Sequence, residues 1–327
     1  MFRLTKKLKK DISVIIPMCN EEENLKDTVN EVKEVLNSLS LNWEIILVDD
    51  GSVDNTPSIA REISNGEKSV KLRTHSRNYG RGRAIRTGFN ACQGNIIVTI
   101  DADLSYDPLY ILDVYNCFQS EPDIHVVLPS PYMPGGSTQK IPFFRLLVSR
   151  IGNKILSFSM SKKIYTITSI FRGYRKEVID CLELESDDKE IHLEILTKVL
   201  AMGYQTKEIP SVLRNRRKGK SKFKFRTTAY SHLIFTAFER PMILFGLLGI
   251  VIIFTGVGLG IHLTMLWLEG TLSGGRPLIS FMILIILIGM QILSFGFIGT
   301  QIVNLRKELY KIQKNNRLLQ KKLEEKF

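Results

Sequence analysis

The sequence predicts an α/β fold, in which helices cover a mostly parallel sheet, followed by two membrane-spanning helices. Short runs of β-branched residues alternate with helical periods over residues 1–240, and this alternation is typical of parallel sheets with crossover helices. Residues 241–303 are mostly apolar. Three of the predicted strands end in clusters of polar residues, and ligands of such sheets bind at the carboxyl ends of the strands.

Each element has its own local signal. Strands are predicted at four apolar runs: 11–17, 43–48, 70–73 and 95–100. The period of the first helix comes from four apolar residues: Leu25, Val29, Val32 and Leu36. Asn20 is its predicted N-cap, with Glu23 as the capping-box partner. Pro57 marks the start of a second helix, and residues 83–92 form a third, which ends before Gly94.

The polar clusters that follow these strands predict a metal-dependent site. They comprise residues 17–21, 49–52 and 101–105. In the last cluster, Asp101 and Asp103 stand one residue apart at the end of a buried strand. Because alternate residues of a strand point to opposite faces, the chain must turn here for both carboxylates to act together. Hard carboxylate oxygens suit Mg²⁺ or Mn²⁺, and such ions often bridge a protein to a diphosphate.

Two uncharged apolar segments predict the membrane anchor. Met242–Leu268 and Leu278–Val303 each exceed the roughly 20 residues that cross a bilayer. Lys and Arg are abundant before the first segment and after the second, so the positive-inside rule places the N-terminal domain and both termini in the cytoplasm. The net charge of +12 indicates an anionic partner, such as anionic lipid or a phosphorylated substrate.

Several stretches leave alternatives open. Residues 214–226 (RNRRKGKSKFKFR) form either a solvated patch on anionic lipid or a set of position-specific phosphate ligands. A C-terminal seam with four-three spacing, interrupted by Asn316, consists of Leu305, Leu309, Ile312, Leu319 and Leu323. It predicts either a coiled coil, through which the chain self-associates, or a basic helix on headgroups. Residues 134–140 read as a loop, and the amphipathic stretch 143–160 as a helix on a membrane surface or against the domain.

Five motifs occur in order along residues 11–226. They are P-x-C-N-E at 17–21, V-D-D-x-S at 48–52, D-A-D-L at 101–104, T-S-x-F-R-x-Y-R at 168–175 and R-x-x-G-x-S-K at 216–222. On these motifs the chain resembles inverting glycosyltransferases of the GT-A fold, close to dolichyl-phosphate mannose synthases and bacterial polyprenyl-phosphate glycosyltransferases. With the apolar segments, the resemblance implies a Rossmann-like GT-A domain over 1–226, a juxtamembrane segment over 227–241, two transmembrane helices over 242–303 and a basic helix over 304–327.

The resemblance also implies a role for each motif position. The nucleotide would be held by Pro17, Cys19, Glu21, Val48 and Asp50. The metal and the diphosphate would be bound by Asp101, Ala102, Asp103 and Ser105. Arg216 and Lys222 would contact the donor phosphates and form the catalytic set with the two aspartates. Arg145 and Ser149 match the positions that bind the acceptor phosphate.

Three positions depart from the family pattern. Cys19 stands where the family has a tyrosine, which removes an aromatic surface beside the base. Ser105 stands where the mannose synthases have a metal-binding glutamine, and Pro131 where they have a phosphate-binding arginine. Arg81 or Arg83 would be the substitute for that lost charge. The departures bear on the nucleobase and the sugar more than on the reaction class.

The predicted function is transfer of a single sugar from a UDP- or GDP-linked donor to a polyprenyl phosphate, with inversion, at the cytoplasmic membrane face. One alternative is a processive polysaccharide synthase of the same fold, but Trp43 and Trp267 lie outside the Q-x-x-R-W motif of those enzymes. The other is a non-catalytic scaffold on anionic lipid, which leaves the polar strand ends unexplained. Membrane lipids are expected partners, whereas nucleic acid is not, because of the two spans.

Overall fold

The computed structural model describes residues 10–160, 162–216, 218, 239–271 and 276–324. The strands are β1 (Ile12–Met18), β2 (Trp43–Asp49), β3 (Val70–Thr74), β4 (Ile96–Thr99), β5 (Val126–Ser130), β6 (Ser137–Gln139), β7 (Arg172–Arg175), β8 (Thr206–Pro210) and β9 (Val212–Arg214). Seven of them form one sheet in the order β3-β2-β1-β4-β7-β5-β8, and β6 pairs with β9. Strand β7 runs antiparallel to β4 and β5, while the other pairs are parallel.

Helices alternate with these strands along the chain, and two long helices follow the last strand. They are α1 (Leu25–Ser38), α2 (Thr56–Gly66), α3 (Arg81–Ala91), α4 (Tyr110–Ser120), α5 (Phe143–Ser159), α6 (Lys176–Cys181), α7 (Ile191–Ala201), α8 (Pro241–Leu268) and α9 (Arg276–Glu324). The four predicted strands are β1 to β4, and the three predicted helices are α1 to α3. The mostly parallel α/β sheet is therefore confirmed.

Two local expectations are wrong. Asn24, not Asn20, precedes α1. Asn20 instead has a positive φ of 53°, and its Oδ1 accepts a hydrogen bond from the N–H of Val53 at 2.8 Å, so it ties two loops together. The predicted loop at 134–140 contains β6, which pairs with β9. Both errors arise because the partner of each segment lies far away along the chain.

The central strands are buried on both faces. Every residue of β2 after its first is buried, and so is every residue of β4. A parallel strand needs such a continuous apolar run because helices cover both sides of the sheet.

Helix α5 has one buried and one exposed face. Asn153 and Leu156 are buried there, whereas Leu147 and Ile151 are 42% and 50% exposed.

One carboxylate lies inside this apolar sheet. Glu44 is fully buried, and it accepts hydrogen bonds from Ser13 Oγ at 2.7 Å, the N–H of Gln93 at 2.5 Å and Lys71 Nζ at 2.6 Å. Burial alone would raise the pKa of Glu44, but these hydrogen bonds outweigh it and hold the pKa below its ordinary value. Each buried oxygen thus has a partner, which is what makes the charge tolerable there.

The chain divides into two compact units: the sheet unit (Met1–Lys224 with Tyr310–Phe327) and the helix-pair unit (Phe225–Leu309). Two helical segments, Pro241–Leu268 and Pro277–Gln320, are apolar enough and long enough to cross a bilayer, each with a mean hydropathy of 2.6. The helix-pair unit holds the first and the part of the second up to Leu309. Their backbones approach closely through glycines. A Cβ added to Gly249 would lie 2.8 Å from the carbonyl oxygen of Gly289, and small residues allow such packing in membranes.

Helix α9 is continuous, so no break separates the second predicted span from the predicted C-terminal helix. Its residues from 310 onward belong to the sheet unit. There Lys314 Nζ donates to the carbonyl of Met202 at 3.0 Å and lies 4.0 Å from the centroid of the Tyr204 ring. The side chains of the C-terminal seam are exposed. The part of α9 from residue 310 onward therefore contacts the rest of the sheet unit through the face that carries Lys314, and not through the seam.

Candidate active site

The three polar clusters meet at one edge of the sheet, as the sequence predicts. Strand β1 lies between β2 and β4 and is parallel to both. The N–H of Asn20 donates to Ser52 Oγ at 2.9 Å, and the N–H of Glu21 donates to Thr56 Oγ1 at 2.8 Å. These bonds fix the loop after β1 against the loop after β2. The edge therefore presents side chains from three neighbouring strand ends.

The chain turns directly after β4 and brings the predicted metal carboxylates to this edge. Asp101 follows the strand, and the N–H of Ser105 donates back to Asp103 Oδ1 at 3.0 Å. Between them, the carbonyl of Ala102 accepts a hydrogen bond from Thr28 Oγ1 at 2.9 Å. The turn that both carboxylates need in order to act together is thus present, and a helix on the face of the sheet holds it.

Burial and neighbouring charges act on Asp101 at this edge. Burial is the largest cause that raises the pKa of Asp101, to about 7, while Arg81 lowers it and Asp103 and Glu21 raise it. Arg81 Nη2 lies 3.8 Å from Asp101 Oδ1. Asp103 acts on Asp101 as a like charge, and a bound cation would relieve that repulsion.

The oxygen atoms at this edge fit a divalent ion that binds together with a diphosphate. Mg²⁺ is usually held by one or two carboxylates plus substrate phosphates, and Asp101 and Asp103 supply such a pair. Across the described ranges, no group of three or more His, Cys, Asp or Glu side chains is arranged to hold a metal ion. In the predicted metal site, this carboxylate pair would need further ligands from the substrate. A contribution from the hydroxyl of Ser105 stays a prediction.

The start of the basic run is bound by carboxylates beside this edge. Arg216 Nη2 donates to both carboxylate oxygens of Glu21, at 2.9 and 2.7 Å, and the two side chains are 11% and 13% exposed. Lys218 Nζ donates to Asp27 Oδ2 at 2.9 Å, and about half of each side chain is exposed. The run therefore contains a buried, position-specific contact at Arg216. Lys222 lies outside the described residues, so its contact stays a prediction.

The carboxylate of Asp50 organises the loop that leads into α3. His75 Nδ1 and the N–H of Tyr79 donate to Oδ1 at 2.8 and 3.0 Å, and the N–H of Gly80 donates to Oδ2 at 2.8 Å. Gly80 has a φ of 103°, which favours glycine. Because Arg81 follows at once, Asp50 positions the cation beside the metal carboxylates. Sequence reasoning missed this role, since no local pattern links Asp50 to that loop.

The other predicted nucleotide residues lie at the same strand ends. Pro17 pairs in register with Val48, and Val48 is fully buried. Cys19 Sγ accepts a hydrogen bond from Asn78 Nδ2 at 3.1 Å. The thiol that replaces the family's tyrosine is therefore attached to the loop before α3. The roles of these residues toward a nucleotide stay predictions.

On the predicted acceptor side, the structure brings Ser149 together with Tyr132. The Tyr132 hydroxyl donates to Ser149 Oγ at 2.8 Å, and the guanidinium of Arg150 lies 5.9 Å from the centroid of the Tyr132 ring. The side chain of Arg145 lies outside the described part of the chain. Arg83, one of the two suggested substitutes for the missing arginine, forms a bidentate pair with an aspartate of the loop before α7.

Arg172, from the T-S-x-F-R-x-Y-R motif, serves the fold. It is fully buried, and its guanidinium donates to the carbonyls of Ser169 at 2.8 Å, His192 at 3.0 Å and Ile167. These bonds join the loop before β7 to α7.

His192, which sequence reasoning also missed, is buried with neither ring nitrogen paired among the described residues. Burial lowers the pKa of His192 well below its ordinary value, so the ring is neutral.

Comparison with known families decides the relationship of this chain. A model described as Glycosyl transferase family 2 matches residues 13–183, which is over half of the chain and contains the three polar strand ends. The chain belongs to glycosyl transferase family 2. It is similar to a dolichol-phosphate mannosyltransferase of Pyrococcus furiosus, with 33% identity over 220 residues, or 66% of this chain. The match spans 60% of the length of that relative.

Solved structures share the fold. Glucosyl-3-phosphoglycerate synthase of Mycobacterium tuberculosis, in complex with phosphoglyceric acid, aligns with a TM-score of 0.53 at 18% identity, over 70% of this chain and 80% of that chain. The same enzyme with Mg²⁺ and UDP aligns with a TM-score of 0.51 at 18% identity, over 68% of this chain and 79% of that chain. The likeness concerns the fold, and it confirms the predicted GT-A class.

Proposed function

We propose that this chain transfers one sugar from a nucleotide-sugar to a polyprenyl phosphate, with inversion and with Mg²⁺ or Mn²⁺. The observation that carries the proposal is the turn after β4, where Asp101 and Asp103 lie beside Arg81 and within electrostatic reach of Arg216. The carboxylates can hold the ion, and the guanidinium groups can neutralise a departing diphosphate. The similarity to a dolichol-phosphate mannosyltransferase supports a polyprenyl phosphate as the acceptor.

The proposed reaction depends mainly on how the enzyme positions the acceptor phosphate and the donor. A phosphate monoester is mostly ionised at neutral pH, so the acceptor needs no general base. Its oxygen attacks the anomeric carbon as the bond to the donor's diphosphate breaks on the opposite face, and the configuration inverts. When bound, the ion neutralises charge on the diphosphate, held there by Asp101 and Asp103. Arg216 binds the phosphate oxygens as their charge grows, and Lys222 shares that role.

The membrane supplies the acceptor. The two candidate spans would keep the enzyme at the surface where the lipid phosphate lies. The positive-inside rule places the sheet unit and both ends of the chain in the cytoplasm. The exposed Leu147 and Ile151 of α5, with Arg150 on the same helix, suit contact with acyl chains and anionic headgroups.

The test offers purified protein a panel of radiolabelled UDP- and GDP-sugars together with polyprenyl phosphate, and then extracts the lipid. We expect label from one kind of donor, a product mass with one sugar, and NMR coupling constants of a β-linked product from an α-linked donor. A matched reaction with the free polyprenol should give no labelled lipid, because the phosphate is the nucleophile.

Each rival function has its own outcome in this assay. A ladder of sugar additions by this enzyme alone would support the processive polysaccharide synthase. No labelled lipid with any donor, together with tight binding to anionic vesicles, would support the non-catalytic scaffold. Retention of configuration would exclude a single displacement.

A further inference from the structure

The contact between Glu21 and Arg216 involves an arginine to which the proposed function gives another partner. The guanidinium that the proposed function assigns to the donor's diphosphate is already bound by a carboxylate. One nitrogen, Nη2 of Arg216, donates to both oxygens of Glu21 at 2.9 and 2.7 Å. With 11% and 13% exposure, these side chains form the pair largely out of solvent, so it is held more firmly than an exposed ion pair.

The surroundings of Glu21 show that this contact is supported from several sides. Its N–H donates to Thr56 Oγ1 at 2.8 Å, and its Oε2 also accepts a hydrogen bond from Asn24 Nδ2 at 2.9 Å. Arg216 Nε donates to the carbonyl of Lys218 at 2.9 Å, which fixes the guanidinium from its other side. Glu21 and Arg216 are therefore each oriented by further contacts besides the one between them.

A carboxylate and a phosphate compete for the same arginine. The planar guanidinium fork matches either anion in similar geometry, through charge-assisted hydrogen bonds of similar length. The N–H of Arg214, two residues before Arg216, donates to the carbonyl of Ser105 at 2.8 Å, so the contact stands beside the predicted diphosphate site. The incoming diphosphate must therefore take Arg216 away from Glu21.

We propose that Glu21 is a positioning residue that binds Arg216 in the absence of the donor and releases it to the donor's diphosphate. Donor binding is then an exchange of partners at one guanidinium. This inference rests on the proposed function, because that function brings a diphosphate to this edge. The resemblance to the family instead makes Glu21 a residue that holds the nucleotide, and the two roles predict opposite effects of its removal.

The test measures binding of UDP and GDP to the full chain in detergent by titration calorimetry, with EDTA present so that no divalent ion contributes. Glu21→Gln keeps the shape of the side chain but removes the charge that binds Arg216. The apparent dissociation constant scales inversely with the fraction of protein whose site is competent, so we expect binding about tenfold tighter than in the wild type. Glu21→Ala, which lacks the amide, is expected to shift binding in the same direction.

Two further variants locate the effect. In an Arg216→Met background, Glu21→Gln should give no gain, because no guanidinium is left to release. Asp27→Asn removes the carboxylate of the neighbouring, exposed pair with Lys218, and it should leave binding unchanged. Thermal melting of each variant checks that the chain is folded.

The outcomes separate the inference from the function on which it rests. Weaker or unchanged binding in both Glu21 variants would overturn the inference, and so would a gain that persists without Arg216. If the wild type binds neither diphosphate even with Mn²⁺, the proposed function fails as well. If the wild type binds one of them with Mn²⁺ and only the tightening is missing, the inference fails alone.

Discussion

Replacing Arg216 or Lys218 by alanine removes the same formal charge from two positions of the basic run. If the run acts only as a solvated patch near the membrane, both variants lose the same attraction. If Arg216 binds a departing diphosphate, the two variants differ strongly. The structure predicts the second result, because Arg216 is 11% exposed in a pair with Glu21, whereas Lys218 is 52% exposed in a pair with Asp27.

The magnitudes follow from these surroundings. Loss of a preorganised donor to developing charge costs about 10²–10³ in kcat, which is roughly 3–4 kcal/mol of barrier. Loss of an exposed ion pair costs about 0.2–1 kcal/mol, so Lys218→Ala should stay within about fivefold of the wild type. As a membrane patch, each lost charge would cost about 1 kcal/mol, equally at both positions and less at high salt.

The assay measures kcat and KM of both variants at matched protein, in the same detergent and in liposomes, at low and high salt. We expect Arg216→Ala to lose activity mainly in kcat, with little dependence on salt. The sequence predicts the same contrast between Lys222→Ala and Lys224→Ala. Equal, mild and salt-sensitive defects at Arg216 and Lys218 would refute the reasoning and leave only a membrane-binding patch.

Three further predictions concern other parts of the chain. Asp103→Asn should abolish transfer without lowering the melting temperature, and near-normal turnover with saturating Mn²⁺ would contradict the metal assignment. Glu44→Gln should lower the free energy of unfolding by about 2 kcal/mol at neutral pH, since it loses the charged contact with Lys71. The pKa of Glu44 in the folded protein is depressed. The difference in the free energy of unfolding between wild type and variant should therefore persist above the ordinary carboxyl range and vanish as acid is added below about pH 4. A difference in melting temperature that does not change with pH would argue against this reasoning. If the C-terminal seam pairs with a second copy, Asn316→Cys should form disulfide-linked dimers in membranes. Lys314→Cys, on the face that contacts Met202, should not form them. Equal cross-linking of both variants would exclude that pairing.

The strand ends could be predicted from the sequence because their signals are local. An apolar run of strand length followed by acidic and small residues identifies β1, β2 and β4, and parallel packing then places their carboxyl ends at one edge. The pairing of Glu21 with Arg216 could not be predicted, because 195 positions separate them. Only the course of β8 and β9 brings the basic run to this edge, where the N–H of Arg214 donates to the carbonyl of Ser105 at 2.8 Å.

The long final helix illustrates a different limit. The sequence predicts two elements there, because the composition changes from apolar to basic after Val303. A helix is held by hydrogen bonds between backbone groups four residues apart, and these do not depend on whether the side chains are apolar or charged. Since no proline or glycine follows Val303 before the end of the chain, nothing local ends the helix.

The loop before α3 connects one of the family departures, Cys19, with the predicted metal carboxylates. Asp50 accepts hydrogen bonds from this loop at both of its oxygens, so it holds in place the groups that the loop carries. One of these is Arg81, next to Asp101. The same loop donates to Cys19 through Asn78, at the position where the family has an aromatic ring. A tyrosine at Cys19 would remove the sulfur that accepts this hydrogen bond, which is one of the contacts that hold the loop before Arg81. A change on the predicted nucleobase side therefore bears on the segment that leads to the predicted diphosphate side.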